Sequence, residues 1–275
     1  MNQYLANAIA VATLCILLTS VQADKSPFIT LSSTTSTENS GLLDYLIPKF
    51  RERTGIDVRV VSVGTGRALK LGEMGDTDLI LVHHKPSEEE FMSKGFGIQR
   101  REVMYNDFIV AGPSEDPVNI RGERSIARVL SLIHEHKMPF VSRGDESGTH
   151  KKEMELWALA GVDAQRYSGE WYHETGAGMG TTLNIANGMS AYVLTDRGTW
   201  LSFKNRDGLA LLFENDPPLH NQYSIVQINP DRHPHIKYTE AELFINWLTS
   251  GEGQQTIADF TLNGQQLFFP NALPQ

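Results

Sequence analysis

Cysteine is almost missing: the only one among 275 residues is Cys15, set inside an apolar run near the N-terminus. With no second thiol there is no intramolecular disulfide, and cysteine-ligated metal sites are excluded with it. Excess positive charge is missing too. The chain has 24 Lys and Arg against 33 Asp and Glu, a formal net charge of −9, and no long basic run. That excludes a general nucleic-acid binder or a basic membrane-surface protein, since both must neutralise phosphates. Any anion it binds has to be held by a local site. Internal repeats, low-complexity tracts and Pro-rich linkers are also absent, so two domains, if present, are joined by ordinary strands. A chain of 275 residues buries a full core and makes one large or two medium domains.

The N-terminal segment has its own composition. Leu5 to Leu18 is almost wholly apolar and runs into Thr19-Ser20-Val21-Gln22-Ala23, which offers the small residues a signal peptidase needs. The stretch falls short of the ~20 residues that span a bilayer, so residues 1–23 are expected to be a signal peptide cleaved after Ala23, with the product in the periplasm. The segment departs from the usual pattern in having no Lys or Arg before the apolar run. Cys15 lacks the small residue before it and the polar segment after it that lipoprotein processing needs. Removing residues 1–23 from a chain of 275 leaves 252, free of cysteine and still carrying the whole charge of −9.

Along the rest, short β-branched runs alternate with helical patterns. Strands are expected at Phe28–Leu31, Ile56–Val60, Leu79–Val82, Val103–Ala111, Phe140–Ser142, Ala191–Leu194, Leu209–Phe213 and Ser224–Ile228. Helices are expected at Leu42–Phe50, with a kink or restart at Pro48, and at Ser87–Lys94, Ser125–Lys137, Gly148–Ala160, Glu240–Thr249 and Gln254–Phe260. The alternation specifies an α/β fold with mixed, mostly parallel sheets flanked by helices.

Four loops share one character: each follows an apolar strand or turn, is rich in Gly, Ser and Thr, and opens into a helical pattern. They are Ser32–Thr37, Gly64-Thr65-Gly66, Ser142–Thr149 and Gly176–Thr182. In an open α/β sheet ligands collect beyond the carboxyl ends of strands, where helix starts aim free N–H groups at them. Singly, each loop is more often a plain N-cap; four in one chain favour a ligand site. Arg143 is the arginine embedded in such a loop, and its fork of donors matches a tetrahedral oxyanion. Its alternative role is a salt bridge with Asp145 or Glu146, and a carboxylate so placed could also hold the guanidinium in position.

The run Arg143-Gly144-Asp145-Glu146-Ser147-Gly148-Thr149-His150-Lys151-Lys152-Glu153, with Ser33-Thr34-Thr35-Ser36-Thr37-Glu38-Asn39-Ser40-Gly41 before it, resembles the tungstate-binding proteins of ABC transporters. Val63-Gly64-Thr65-Gly66 and Leu194-Thr195-Asp196-Arg197-Gly198-Thr199 stand in the same order as in that family. The resemblance implies a two-lobed periplasmic-binding-protein fold of type II, with lobe 1 at residues 24–110 plus 216–275 and lobe 2 at 111–215. It implies a monomer that captures tungstate, or molybdate, and delivers it to an inner-membrane ABC permease, with no enzyme activity, no cofactor, and metal bound only as the oxyanion. The implied ligands are Thr34, Thr65, Arg143, Ser147 and Thr149. Ser33 stands where a threonine is expected, and Gly178, Met179 and Gly180 are implied as backbone donors. A similar motif occurs in phosphate-binding proteins, so a phosphate or sulfate carrier of the same fold is the alternative.

Other constellations are weaker. His83-His84, His134-x-His136 and His233-x-His235 lack a second ligand set at zinc spacing and are expected as surface histidines. Gly144–Gly148 places its serine one position too late for a nucleophile elbow, which argues against an exported hydrolase, and no phosphate-cradling Gly-Lys-Ser/Thr loop occurs. Trp171-Tyr172-His173-Glu174 is expected to pack between domains, and Glu88-Glu89-Glu90 to complement a helix dipole.

Overall fold

The computed structural model describes residues 26–262 and 264–273; the expected signal peptide lies outside the described residues. The first elements are β1 (Phe28–Thr34), α1 (Thr35–Asn39), α2 (Leu42–Thr54), β2 (Asp57–Val63), α3 (Thr65–Met74), β3 (Leu79–Val82), α4 (Lys85–Ser93) and the long β4 (Gly97–Pro113). Then come α5 (Ile126–Glu135), β5 (Phe140–Ser142), α6 (Gly148–Leu159), β6 (Tyr172–Glu174), α7 (Met179–Met189), β7 (Val193–Asp196), α8 (Arg197–Ser202) and β8 (Leu209–Phe213). The last are β9 (His220–Ile228), α9 (Tyr238–Leu248), α10 (Gly251–Asp259), β10 (Thr261–Leu262), β11 (Gln265–Gln266) and β12 (Phe269–Pro270).

The molecule has two lobes, and β4 is the strand that makes them one chain. Its first part, Gly97–Asp107, pairs antiparallel with β9 in a sheet ordered β12-β4-β9-β3-β1-β2. From Phe108 onward it pairs instead with β7 and β8. The cores divide in the same way. Leu31, Phe50, Leu81, Met104, Ile225, Phe244 and Phe268 pack in one cluster, whereas Phe108, Val129, Phe140, Trp157, Tyr172 and Leu212 pack in another. The fold is the α/β two-lobed architecture expected from the sequence. The sheets are mixed, with β1, β2 and β3 parallel and β5 parallel to β6, but antiparallel pairing is commoner than strand–helix alternation suggests. The reason is that β4 and β9, which run between the lobes, pair antiparallel with their neighbours.

Local sequence explains the elements that position the site. Leu42, Leu43, Leu46 and Phe50 form the buried stripe of α2, which stops at Gly55, where φ is +73°. Pro48 does not restart this helix, which runs unbroken from Leu42 to Thr54. It lies exposed on the solvent side, as does Asp44, whose carbonyl loses its intrahelical donor to the proline. Trp171 and Tyr172 do not pack between lobes; both belong to the lobe 2 core, with Trp157 and Trp171 rings 5.5 Å apart. The acidic run is likewise not all surface. Glu88 is fully buried at the start of α4, accepting His84 N–H at 2.8 Å and Arg100 Nε at 2.9 Å.

Burial pushes the Glu88 carboxyl upward, against the pull of Arg100. Deleting one member of a buried ion pair leaves an uncompensated charge. Arg100→Met is therefore expected to lower the unfolding free energy by about 3 kcal/mol, checked by urea denaturation at neutral pH. Unchanged stability would mean the pair is merely tolerated.

Candidate oxyanion site

Because β1, β2 and β3 are parallel, their carboxyl ends share one edge, and each delivers a polar residue there. Ser33 and Thr34 close β1, Thr65 opens α3 behind β2, and His83 follows the fully buried β3. The facing lobe presents Arg143–Thr149 after β5 and the start of α7 after β6. The lobes meet at Gly148: a Cβ built there would lie 2.9 Å from Thr65 Oγ1 and 2.8 Å from His83 Cε1. Two further contacts flank that point, His84 Nε2 to Glu155 Oε1 at 3.1 Å and Lys151 Nζ to Ser87 Oγ at 3.1 Å.

The expected ligands fall into different states. Thr65 Oγ1 and Thr149 Oγ1 are buried and have no hydrogen-bond partner among the described residues. Unmade hydrogen bonds at buried hydroxyls cost about 1–3 kcal/mol each, so this pair is what an acceptor with several lone pairs would satisfy. Ser147 Oγ accepts His150 N–H at 3.2 Å as the cap of α6, and its hydroxyl also bonds the Asp145 carboxylate. Thr34 caps α1 and lies 3.0 Å from Ser36 Oγ and 2.7 Å from Thr37 Oγ1. Ser33 donates its hydroxyl to Leu81 O at 3.0 Å and so has spent that proton on β3.

Arg143 is 4% exposed. Asp145 Oδ2 holds it through Nη2 at 2.6 Å and Nε at 3.2 Å, which settles the partner as Asp145 rather than Glu146. Burial pushes the Asp145 carboxyl upward, but Ser147 and Arg143 together outweigh it and keep the group below its ordinary value. The fourth loop joins the third through Thr175, whose Oγ1 donates to Arg143 O at 3.2 Å. Met179 is buried in the lobe 2 core, so the atom it can offer is its N–H, while Gly178 and Gly180 are exposed at the start of α7.

His83 is the site residue that sequence reasoning placed wrongly, at the surface. It is 7% exposed and packs tilted against Tyr223, ring centroids 4.7 Å apart. Asn221 gives its Nδ2 protons to Asn106 Oδ1 at 2.7 Å and Tyr223 Oη at 3.3 Å, so its Oδ1 accepts from His83 Nδ1 at 3.0 Å. The proton therefore sits on Nδ1, and Nε2, 3.5 Å from Ser36 Oγ, is an acceptor. Burial above all, helped by His84 and the Arg143 charge, pushes the imidazole down to about 4, although Asn221 pulls the other way. The usable signal was position: His83 stands one residue past an apolar strand, at the edge where the loops gather. The remaining pairs are ordinary; His233 and His235 bond the carbonyls of Glu73 and Gly75, and no cluster of three or more potential metal ligands occurs among the described residues.

Under the third loop sits Glu153, 2% exposed, accepting Tyr172 Oη at 2.7 Å and Trp157 Nε1 at 3.3 Å. Burial dominates and pushes its carboxyl up to about 8 in spite of these donors.

Two α/β lobes joined by crossing strands, with buried hydroxyls and one buried guanidinium where they meet, define a solute-binding protein of the periplasmic type. Residues 20–252 match the PBP superfamily domain. The tungstate-binding protein TupA of Peptoclostridium acidaminophilum is 43% identical, with 99% of each chain covered. A solved structure of TupA from Desulfovibrio alaskensis G20 superposes with a TM-score of 0.80 at 43% identity, covering 90% of this chain and 100% of that one. The structure titled as the tungstate ABC transporter from Geobacter sulfurreducens gives 0.77 at 45% identity, over 85% of this chain and 98% of its own. The chain belongs to the tungstate-binding protein family within the PBP superfamily.

Two predictions come from this geometry. Gly148→Ala would drive a methyl to 2.8 Å from His83 Cε1, a clash that opening the lobes relieves. Anion affinity should fall at least about tenfold, or about 1.4 kcal/mol, by calorimetry, with the melting midpoint unchanged; the reverse pattern would make the contact one of folding. Glu153, ordinarily near 4.5 and about 8 when folded, keeps a proton in the native state that the unfolded chain sheds between those values. Its contribution to stability is complete below 4.5 and is lost as pH rises through 8. Glu153→Gln should flatten that decline in urea-unfolding free energies measured from pH 5 to 8; a slope equal to the parent's would contradict it.

Proposed function

We propose that this chain is an extracytoplasmic solute-binding protein that captures tungstate between its lobes and hands it to an ABC permease. The observation that carries this reading is the pair of buried, unpartnered hydroxyls on facing lobes, Thr65 beside the close approach of Gly148 and Thr149 next to Gly148 in sequence. The relatives' names supply the ligand and the transporter class.

On this reading Arg143, Thr34, Thr65, Ser147 and Thr149 donate to the oxyanion. Gly178, Met179 and Gly180 add backbone N–H groups, and Ser33 acts by shaping the end of β1. Lobe 1 comprises residues 24–110 plus 216–275 and lobe 2 comprises 111–215; the separate cores support this division except at Phe108, Ile109, Val110 and Leu219, which pack with lobe 2. The protein is a monomer exported by a signal peptide cleaved after Ala23, works in the periplasm, and has neither cofactor nor catalytic activity. No helix among the described residues is long and apolar enough to cross a membrane. Molybdate is a second candidate ligand, and phosphate or sulfate defines the alternative carrier.

A hydrogen bond to a charged group contributes about 1.5–3 kcal/mol, so six or seven could supply 10 kcal/mol or more before association costs. Calorimetry on the purified protein with tungstate, molybdate, sulfate and phosphate tests the reading, which requires tungstate to bind and predicts weaker sulfate and phosphate. No heat with any of the four would end it. Arg143→Gln is expected to weaken tungstate binding by about 2 kcal/mol or more; an unchanged affinity would return Arg143 to its ion pair with Asp145.

A further inference from the structure

His150 is the side chain in the third loop to which the anion reading gives no work, yet it is built into the loop's geometry. Its Nδ1 accepts the Glu146 N–H at 3.0 Å, which fixes the neutral tautomer with the proton on Nε2. Nε2 is itself buried and unpartnered among the described residues. Glu146 has φ +56°, a left-handed conformation that costs a residue with a Cβ and persists only when something holds it. Asp145 and His150 divide the holding. Asp145 takes the Arg143 guanidinium and the Ser147 N–H on one side, and His150 takes Glu146 N–H on the other. Gly144 N–H goes to Ser142 Oγ and His150 N–H to Ser147 Oγ. The loop thus turns the N–H groups of residues 144, 146, 147 and 150 onto its own side chains. The start of α6 leaves the N–H groups of Gly148 and Thr149 without intrahelical acceptors, beside the unpartnered Thr149 hydroxyl.

We propose that His150 is a positioning residue for oxyanion binding: through Nδ1 it locks Glu146 in its left-handed turn and so sets the span between Arg143 and Thr149. This rests on the anion-site reading above. The ring works as a neutral acceptor; burial pushes it below its ordinary value although Asp145, Glu174 and Glu146 pull upward.

The role separates by which nitrogen a replacement imitates. His150→Asn puts an amide oxygen where Nδ1 stands, whereas His150→Gln puts its amide where Nε2 stands and offers Glu146 no acceptor; His150→Ala offers neither. The first readout needs no anion: amide hydrogen exchange of residues 144–147 in the full protein should quicken in the Gln and Ala variants and stay near the parent's rate in the Asn variant. The second is tungstate affinity by calorimetry, expected to fall about tenfold or more in Gln and Ala and to stay within about threefold in Asn. Retained affinity in Gln with loss in Asn would overturn the proposal in favour of direct donation from Nε2. Equal exchange and equal affinity in all three would overturn it outright, as would equal loss in all three, which would assign the effect to ring packing. If the parent binds no tungstate, the functional reading fails by itself, and the exchange series still decides the place of His150.

Discussion

Buried hydrogen-bond donors that the protein does not satisfy govern this molecule, because a polar group removed from water must be paired or the fold bears the cost. The apolar clusters of the two lobes leave between them a layer rich in hydroxyls, amides and one guanidinium, and most of these find partners within it. Thr34 bonds Ser36 and Thr37, Asn221 bonds Asn106, and Arg143 bonds Asp145. Thr65 and Thr149 do not. They come from opposite lobes, so on the proposed reading an anion that completes both also joins the lobes, and capture and closure are one event.

The same layer ties the strand crossing between the lobes to the site. Asn106 on β4 and Asn221 on β9 lie where the two crossing strands run side by side, and Asn221 fixes the tautomer of His83. His83 in turn presents a carbon edge, not a proton, to Gly148. A protonated ring would set a second cation near Arg143 and lose the Nε2 acceptor facing Ser36; burial holds the ring neutral and outweighs the upward pull of Asn221. The chain makes that crossing with ordinary strands, and Arg197 adds an ion pair to Asp107 there, Nε to Oδ1 at 2.6 Å.

Much of this was legible in the sequence because it depends on short-range chemistry. The buried stripe of α2, the apolar β3 and the Ser–Gly–Thr start of α6 each announce themselves within a dozen residues, Arg143 stands out as the arginine embedded in a Gly/Ser/Thr loop, and the family resemblance adds Thr149. What escaped was decided by long-range pairing. Trp171 and Tyr172 read as interface residues until β6 pairs with β5 and draws them into the lobe 2 core. His83 looks like a polar surface residue until Asn221, 138 positions later, arrives beside it. The antiparallel share of the sheets depends on β9 returning from lobe 2, a topological fact that no local pattern encodes. Pro48 does not restart the helix as one alternative had it: the local rule against proline in helices is real, but the lost hydrogen bond costs less where the freed carbonyl faces water.

The net charge of −9 sets the terms on which such a site can hold a dianion. The overall field repels the ligand, and salt screens that repulsion over about 8–10 Å, so it acts on encounter and hardly on the closed complex. Inside the cleft the Arg143 charge is already matched by Asp145, which removes it as a free attractor but fixes its fork in place. On the proposed reading, attraction then comes from oriented dipoles: hydroxyls of both lobes and first-turn N–H groups of α3, α6 and α7, whose reorganisation was completed on folding. Two buried carboxylates at this layer are occupied, Asp145 by Arg143 and the Ser147 N–H, Asp196 by Thr199 N–H at 2.8 Å and Thr199 Oγ1 at 2.6 Å. A cradle so arranged offers protons and few acceptors. On the proposed reading it favours an oxyanion that carries no proton of its own, because the O–H of a protonated phosphate would meet donors and be left unpaired. Selectivity of this kind needs no positive surface, which is why an acidic chain can carry it.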